Sequence, residues 1–295
     1  MASGFTNLHR LFLQAAISRR LMTEAAALEL YSQVCNLTEE PFDQDNFTDL
    51  ITQMNEGLNS VELEFRRSQD EVTGAPVIAL TNTNGQKTAQ VATGYSSTEL
   101  EYFKHLVEAM VMADDEAYCI SSTAALHETG NIKTSEGKPV TLTKRDAEVL
   151  LDRFVADKWF IRSGAGAYSL SMRALLELQT YLKETYEEQI QECTLCMEII
   201  TKGQRCQVAA CAARLHHHCA SQYFKNMNNK VCPTCHTNWS DKILIGLSDR
   251  TSAPSKVRKR RQRKTNGAGG EANNEGEADN QGEAAGDNDE ESDEE

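Results

Sequence analysis

The 295-residue chain contains no run of about 18 apolar residues, so no membrane-spanning helix is expected. Its start, MASGFTNLHRLFLQ, lacks the basic stretch and long apolar core of a secretory signal. A reducing, intracellular compartment is therefore expected, in which clustered cysteines read as metal ligands rather than disulfides. Cysteine itself is nearly absent outside one segment. Seven of the nine cysteines lie between Glu192 and Cys235, and Cys35 and Cys119 are left as small core residues.

The net charge of −14 is unevenly placed. Residues 256–264, KVRKRRQRK, carry seven positive charges, and residues 271–295 carry twelve negative ones. Setting both aside leaves −9 on the remainder, which argues against a nucleic-acid footprint spread over the folded part. From about Ser248 the chain loses apolar residues and is expected to be disordered. Its basic stretch, Lys256, Arg258, Lys259, Arg260, Arg261, Arg263 and Lys264, reads as a nuclear localisation signal or basic patch.

The folded part repeats one order of elements. Phe5, Leu8, Phe12 and Ala15 share a helical face, and Thr23 can cap a helix running to about Val34. Phe47, Leu50, Ile51, Met54 and Leu58 follow the spacing of a third helix. Val61, Leu63 and Phe65 then alternate as in a half-buried strand, and VIALT returns after a polar loop. The second pass opens with Ser96 and Glu99 in a capping-box pattern, with Leu100, Phe103, Val107 and Met110 on one face. AYCIS is a short strand, STAALHE a short helix, and Thr143 opens a helix with Ala147, Leu150, Leu151 and Phe154 inward. WFIRSGAGAYSLS reads as a hairpin, followed by a longer helix over Met172–Gln189.

This order, helix, short strand, two helices and a hairpin, is that of a winged helix. We expect an α+β chain with winged helices over 1–92 and 93–189, a zinc domain over 190–247 and a tail over 248–295. The third helices argue against strong duplex binding. The segment Asp45–Leu58 has no Lys or Arg, and Thr143–Asp157 mixes Lys144, Arg145 and Arg153 with four acidic residues. Direct nucleic-acid contact is expected to be weak, and protein docking the main use.

The spacing C-x2-C-x9-C-x4-C-x4-H-x2-C-x12-C-x2-C supplies Cys193, Cys196, Cys206, Cys211, His216, Cys219, Cys232 and Cys235, enough for two tetrahedral zinc ions. His216 is preferred to His217 and His218 because it leaves two spacer residues before Cys219. The order is shared by PHD fingers and one variety of RING domain, both of which interleave their sites. By that resemblance Cys193, Cys196, His216 and Cys219 hold one ion, and Cys206, Cys211, Cys232 and Cys235 the other. A PHD finger usually carries Trp where this chain has Lys230, whereas Cys232-Pro233-Thr234-Cys235 matches the RING pattern. The RING resemblance implies a docking patch for a ubiquitin-conjugating enzyme at Leu195, Tyr223 and Pro233. Where many strong ligases carry a cation after the last ligand, this chain has His236.

Two winged-helix segments before HHHCASQYF and CPTCHTNW resemble the first non-SMC element subunit of the SMC complex of DNA repair. The four-residue spacer between Cys206 and Cys211 is longer than the two residues associated with that family. The resemblance implies a nuclear, chromosome-associated subunit with RING-type ubiquitin transferase capacity. It also implies a MAGE-family partner, a kleisin-type subunit and the SMC complex as its associates. No nucleophile or general base is implied. The competing readings are a DNA-binding or scaffold subunit with a purely structural zinc domain, and a histone-tail reader.

Overall fold

A computed structural model describes residues 5–82, 94–132, 137, 139 and 141–246. The expected boundaries near 92 and 247, the expected disordered tail and all seven basic residues of 256–264 lie outside the described residues. No helix among the described residues is long and apolar enough to cross a membrane.

The first unit runs α1 (Asn7–Arg19), β1 (Leu21–Thr23), α2 (Glu24–Thr38), α3 (Phe47–Leu58), β2 (Leu63–Gln69) and β3 (Pro76–Asn82). The Thr23 hydroxyl accepts a hydrogen bond from the Ala26 amide and so caps α2, as its position ahead of the apolar run predicts. All five apolar residues expected on α3 are buried. Its Asn55 side chain makes two bonds to the Phe65 backbone, at 2.7 and 3.1 Å, which fix α3 against β2. The antiparallel sheet has the order β1-β3-β2, with Phe65 opposite Leu80. Phe12, from α1, meets Phe47 and Phe65 at centroid distances of 6.1 and 5.9 Å.

Two details differ from the sequence expectation. The inward face of α1 is Leu8, Phe12 and Ala16, and Phe5 precedes the helix. Val61 lies in a 3-10 turn and is 58% exposed, so the strand begins only at Leu63. The chain reverses through Glu62 at positive φ, which resets the alternation. Strand β1, three residues long, was too short to leave a period in the sequence.

The second unit repeats the order as α4 (Ser97–Val111), β4 (Cys119–Ser121), α5 (Ser122–His127), α6 (Lys144–Ala156), β5 (Phe160–Arg162) and β6 (Ala167–Leu170). Ser96 and Glu99 form the expected capping box, with bonds of 3.3 and 2.7 Å. The sheet order is β4-β6-β5, and Ser121 and Thr143 cap α5 and α6. Phe103 stacks on Phe160 at 5.1 Å and meets Phe154 edge-on at 5.2 Å. The tandem winged-helix order is thus present in full. Cys35 and Cys119 are buried, as expected.

The long helix expected over Met172–Gln189 is instead two short ones, α7 (Met172–Glu177) and α8 (Gln179–Thr185), broken at Leu178. Leu175, Leu176, Leu178 and Leu182 are all buried, so a turn lets both pieces bury apolar faces where one rod would expose one of them. Arg173, only 2% exposed, pairs with Glu177, stacks over Trp159 at 4.0 Å and donates to the Asp157 carbonyl. Helix α7 also packs on β3 of the first unit, and Arg66 of the neighbouring β2 donates to the Leu176 carbonyl at 3.4 Å.

Phe103→Ala would remove a wholly buried ring at the centre of the second core. The expected loss is about 3–5 kcal/mol, read as a lower midpoint in urea unfolding of the full chain.

Candidate metal centre

The remaining elements are short: β7 (Gln191–Glu192), β8 (Ile199–Ile200), β9 (Gly203–Arg205), β10 (Arg214–Leu215), α9 (His217–Phe224) and β11 (Leu244–Ile245). They form a two-stranded ribbon, β7-β8, and a sheet of order β10-β9-β11. Few of these residues can fill a core of their own. One apolar cluster instead runs unbroken from Phe103 and Trp159 through Tyr186 and Ile190 to Ile199, Leu215, Phe224 and Trp239. Trp239 is tied down by its indole, which donates to Gln204 at 2.9 Å.

Two knuckle turns place the C-x2-C pairs. In the first, the Cys193 amide donates to Glu198 and the Met197 amide to Cys193; in the second, Cys232 bonds Thr237 and His236 bonds Cys232. The residue after each pair, Met197 at φ 62° and His236 at φ 58°, takes a left-handed conformation that turns the chain back. The Val208 and Thr234 amides donate to the Cys206 and Cys232 sulfurs, at 3.5 and 3.4 Å.

The eight expected ligands gather into two sets, Cys193, Cys196, His216 and Cys219, and Cys206, Cys211, Cys232 and Cys235. Within each set the donor atoms lie within 4.8 Å of one another. This is the interleaved pairing expected from the RING order. The four-residue spacer brings Cys211 to 3.7 Å from Cys232 without difficulty. Three thiols with an imidazole, and four thiols, are the donor sets that tetrahedral zinc takes, and the spacing fits such an ion.

Of the three histidines, His216 alone belongs to a set. Its Nδ1 lies 3.3 Å from the Cys196 sulfur, while Nε2 faces the Ile199 carbonyl at 3.2 Å. Nδ1 is therefore the nitrogen available to a metal. His217 and His218 are half-buried packing residues, and His218 stacks on His216 at 5.1 Å. Against burial, hydrogen bonds from His216 and from the Cys196 and Leu195 amides bring the Cys193 thiol down to about 6. Burial likewise opposes the charged imidazole, yet bonding to Cys193 and Glu71 raises His216 to about 10. Bonding from Thr237 brings Cys235 down to about 6. Cys211 accepts from the Ala213 amide, but burial and the neighbouring thiols push it up to about 12.

Two acidic residues that the sequence did not single out anchor this unit. Glu116, between α4 and β4, grips the Arg214 guanidinium through two bonds, at 2.6 and 2.9 Å, and meets Arg205 at 3.3 Å. Glu71, in the β2–β3 turn, is 4% exposed and accepts from the Thr201 amide at 2.6 Å and hydroxyl at 2.8 Å. Neither has a local pattern that would mark it. Leu195 is 39% exposed and Tyr223 half-buried, and both line a cleft of about 530 Å³ over the first set, with Ser68 and Gln69 on its far wall. Pro233 is half-buried in the second knuckle.

A model of the family described as the Nse1 non-SMC component of the SMC5-6 complex matches residues 9–178, and one of a RING-like domain matches residues 193–235. The chain belongs to the Nse1 family. The non-structural maintenance of chromosomes element 1 homolog of Homo sapiens is 30% identical, over 81% of this chain and 86% of that protein. The Schizosaccharomyces pombe protein of that name, without "homolog", is 27% identical, over 82% and 96%. A solved chain of an Nse1-Nse3-Nse4 complex superposes with a TM-score of 0.72 at 27% identity, covering 82% of this chain and all of that one.

Chelation should separate the two kinds of core. With excess EDTA at neutral pH, amides of residues 193–235 are expected to lose protection in hydrogen exchange, while those of α3 keep it. The protection loss should come at lower chelator concentration as the pH falls, because protons compete for the thiolates.

Proposed function

We propose that the chain is a zinc-dependent RING-type ubiquitin ligase subunit of a chromosomal SMC complex that acts in DNA repair. Two zinc ions, one per donor set, would be held by Cys193, Cys196, His216 and Cys219, and by Cys206, Cys211, Cys232 and Cys235. All four positions at each ion come from the protein, so no position is left to activate water. The ions shape a surface.

The observation that carries the reading is the cleft beside the first set, where Leu195 and Tyr223 stand on the wall that follows from the interleaved knuckles. These two residues and Pro233 are the proposed docking patch for a ubiquitin-conjugating enzyme. The subunit forms no covalent bond to ubiquitin. It holds the charged enzyme so that a substrate lysine attacks an oriented thioester. His236, exposed and in place of a cation after the last ligand, fits weak activity without a partner.

The winged helices, over 1–92 and 93–189, are proposed to bind the MAGE-family subunit Nse3, and that pair to join the kleisin-type Nse4. Helix α3 has no Lys or Arg, and on α6 the Arg153 guanidinium is occupied by Glu99 at 3.5 Å and the Tyr95 ring at 4.4 Å. A docking role is favoured over duplex binding. Membership of the family supports a nuclear, chromosomal placement, and the basic residues 256–264 are the proposed localisation signal. The second reading, a scaffold with a structural zinc domain, is favoured by His236 and by the apolar core that the zinc domain shares with the second winged helix.

Discharge of ubiquitin from a loaded conjugating enzyme to free lysine decides between them. The chain with its MAGE-family partner should accelerate discharge, and Leu195→Ala or Pro233→Ala should reduce that acceleration about tenfold or more, or about 1.4 kcal/mol. Cys193→Ser should abolish it. Unchanged acceleration in both surface variants, with the fold intact, would sink the docking patch. No acceleration by a zinc-loaded wild type across a panel of conjugating enzymes would favour the scaffold.

A further inference from the structure

We propose that Glu71 is a positioning residue for the first metal centre, delivered to it by the tip of the first wing. This rests on the reading that zinc occupies the Cys193, Cys196, His216 and Cys219 set. Glu71 belongs to the first winged helix rather than the zinc domain and lies far from the ligands in sequence, yet its carboxylate is buried beside His216. Oxygen Oε1 stands 3.6 Å from His216 Nε2, which also faces the Ile199 carbonyl at 3.2 Å. The same carboxylate accepts from the Thr201 amide and hydroxyl and from the Lys202 amide at 3.3 Å, and Lys202 Nζ lies 3.8 Å away.

The turn that carries Glu71 is built for close approach. Asp70 accepts from the Val72 amide at 3.1 Å and from the Thr73 amide and hydroxyl, both at 2.8 Å, which closes the turn at the wing tip. Gly74, at φ +68°, lies so near α9 that a Cβ there would come within 2.7 Å of the His218 Cβ. His218 in turn stacks on His216. A buried carboxylate, a hydrogen-bonded turn and a glycine needed for contact thus converge on one ligand.

A metal-bound imidazole is held in orientation, and made a better donor, by what its other nitrogen faces. With Nε2 fixed between Ile199 and Glu71, Nδ1 is turned into the donor set and the tautomer is settled. The negative charge nearby also offsets positive charge that the imidazole gains on binding a cation. Disturbing such partners weakens metal binding by about 10–100-fold. In this way retention of one ion is made to depend on docking of the first winged helix.

The test uses the zinc-loaded full chain, with release of each ion to a chelating dye followed over time and the ¹⁵N spectrum of His216 recorded before release. Glu71→Gln keeps an acceptor for Thr201 and removes the charge. It should speed loss of one ion about 10–100-fold, leave the other unchanged and shift the Nε2 resonance while zinc is still bound. Gly74→Ala, which pushes the wing away without altering Glu71, should act in the same direction on the same ion. The proposal fails if Glu71→Gln releases both ions at the wild-type rates, or if it accelerates both equally, as general loosening would. Should Gly74→Ala not fold, Glu71→Gln decides. Zinc content of the wild type separately tests the reading beneath it.

Discussion

The C-terminal part of this fold depends on gathering two sets of donors, each within 4.8 Å, in a stretch whose longest strand has three residues. Thiols and an imidazole so crowded compete for the same protons, and only a cation makes all of them favourable neighbours at once. The hydrogen bonds cannot hold such a structure alone. Strands of two or three residues bring few ladder bonds, and the unit has no closed apolar core. Loaded with metal, the two sets would do what a hydrophobic core does elsewhere, and the shared cluster through Tyr186 and Ile190 ties that part to the second winged helix.

The two winged helices meet the zinc unit by different physics. The second is continuous with it through apolar packing, reinforced by Glu116 on Arg214. The first keeps a separate core around Phe12, Phe47 and Phe65 and reaches across with polar groups, Glu71 foremost. Apolar contact tolerates small shifts, whereas a buried carboxylate between two amides, a hydroxyl and an ammonium demands one register. Burial disfavours the charged carboxyl, but the nearby His216 ring, the Lys202 ammonium and the Thr201 bonds outweigh it and hold Glu71 below the usual carboxylate range. The first wing is thus a specific joint.

The two clusters were legible because metal-binding spacings are short and fixed, and the structure brings the eight residues together in the two expected sets. The winged-helix order was legible where a period runs long enough: five apolar residues on α3, four on α6, and caps at Thr23, Ser96 and Thr143. It failed where tertiary packing overrode the local pattern. Helices α7 and α8 read as one because no Gly or Pro marks Leu178, and the break exists only to bury leucines on both sides. Glu71 and Glu116 were invisible for a related reason. A single acidic residue in a polar turn looks like a solvated one until the partner, more than 80 residues away, is known.

That joint changes what a wing is for. In a duplex-binding winged helix the third helix and wing need clustered positive charge, and here α3 has none while the wing tip presents Asp70 and Glu71 inward or to its own turn. The wing instead forms one wall of the cleft whose other wall carries Leu195 and Tyr223. Ser68 and Gln69 lie just before Glu71 on the chain, so the contact that seats the carboxylate lies next to that cleft. A partner reaching Leu195 and Tyr223 therefore meets residues of the first winged helix as well. Its fit depends on a joint that the zinc-binding segment alone does not contain.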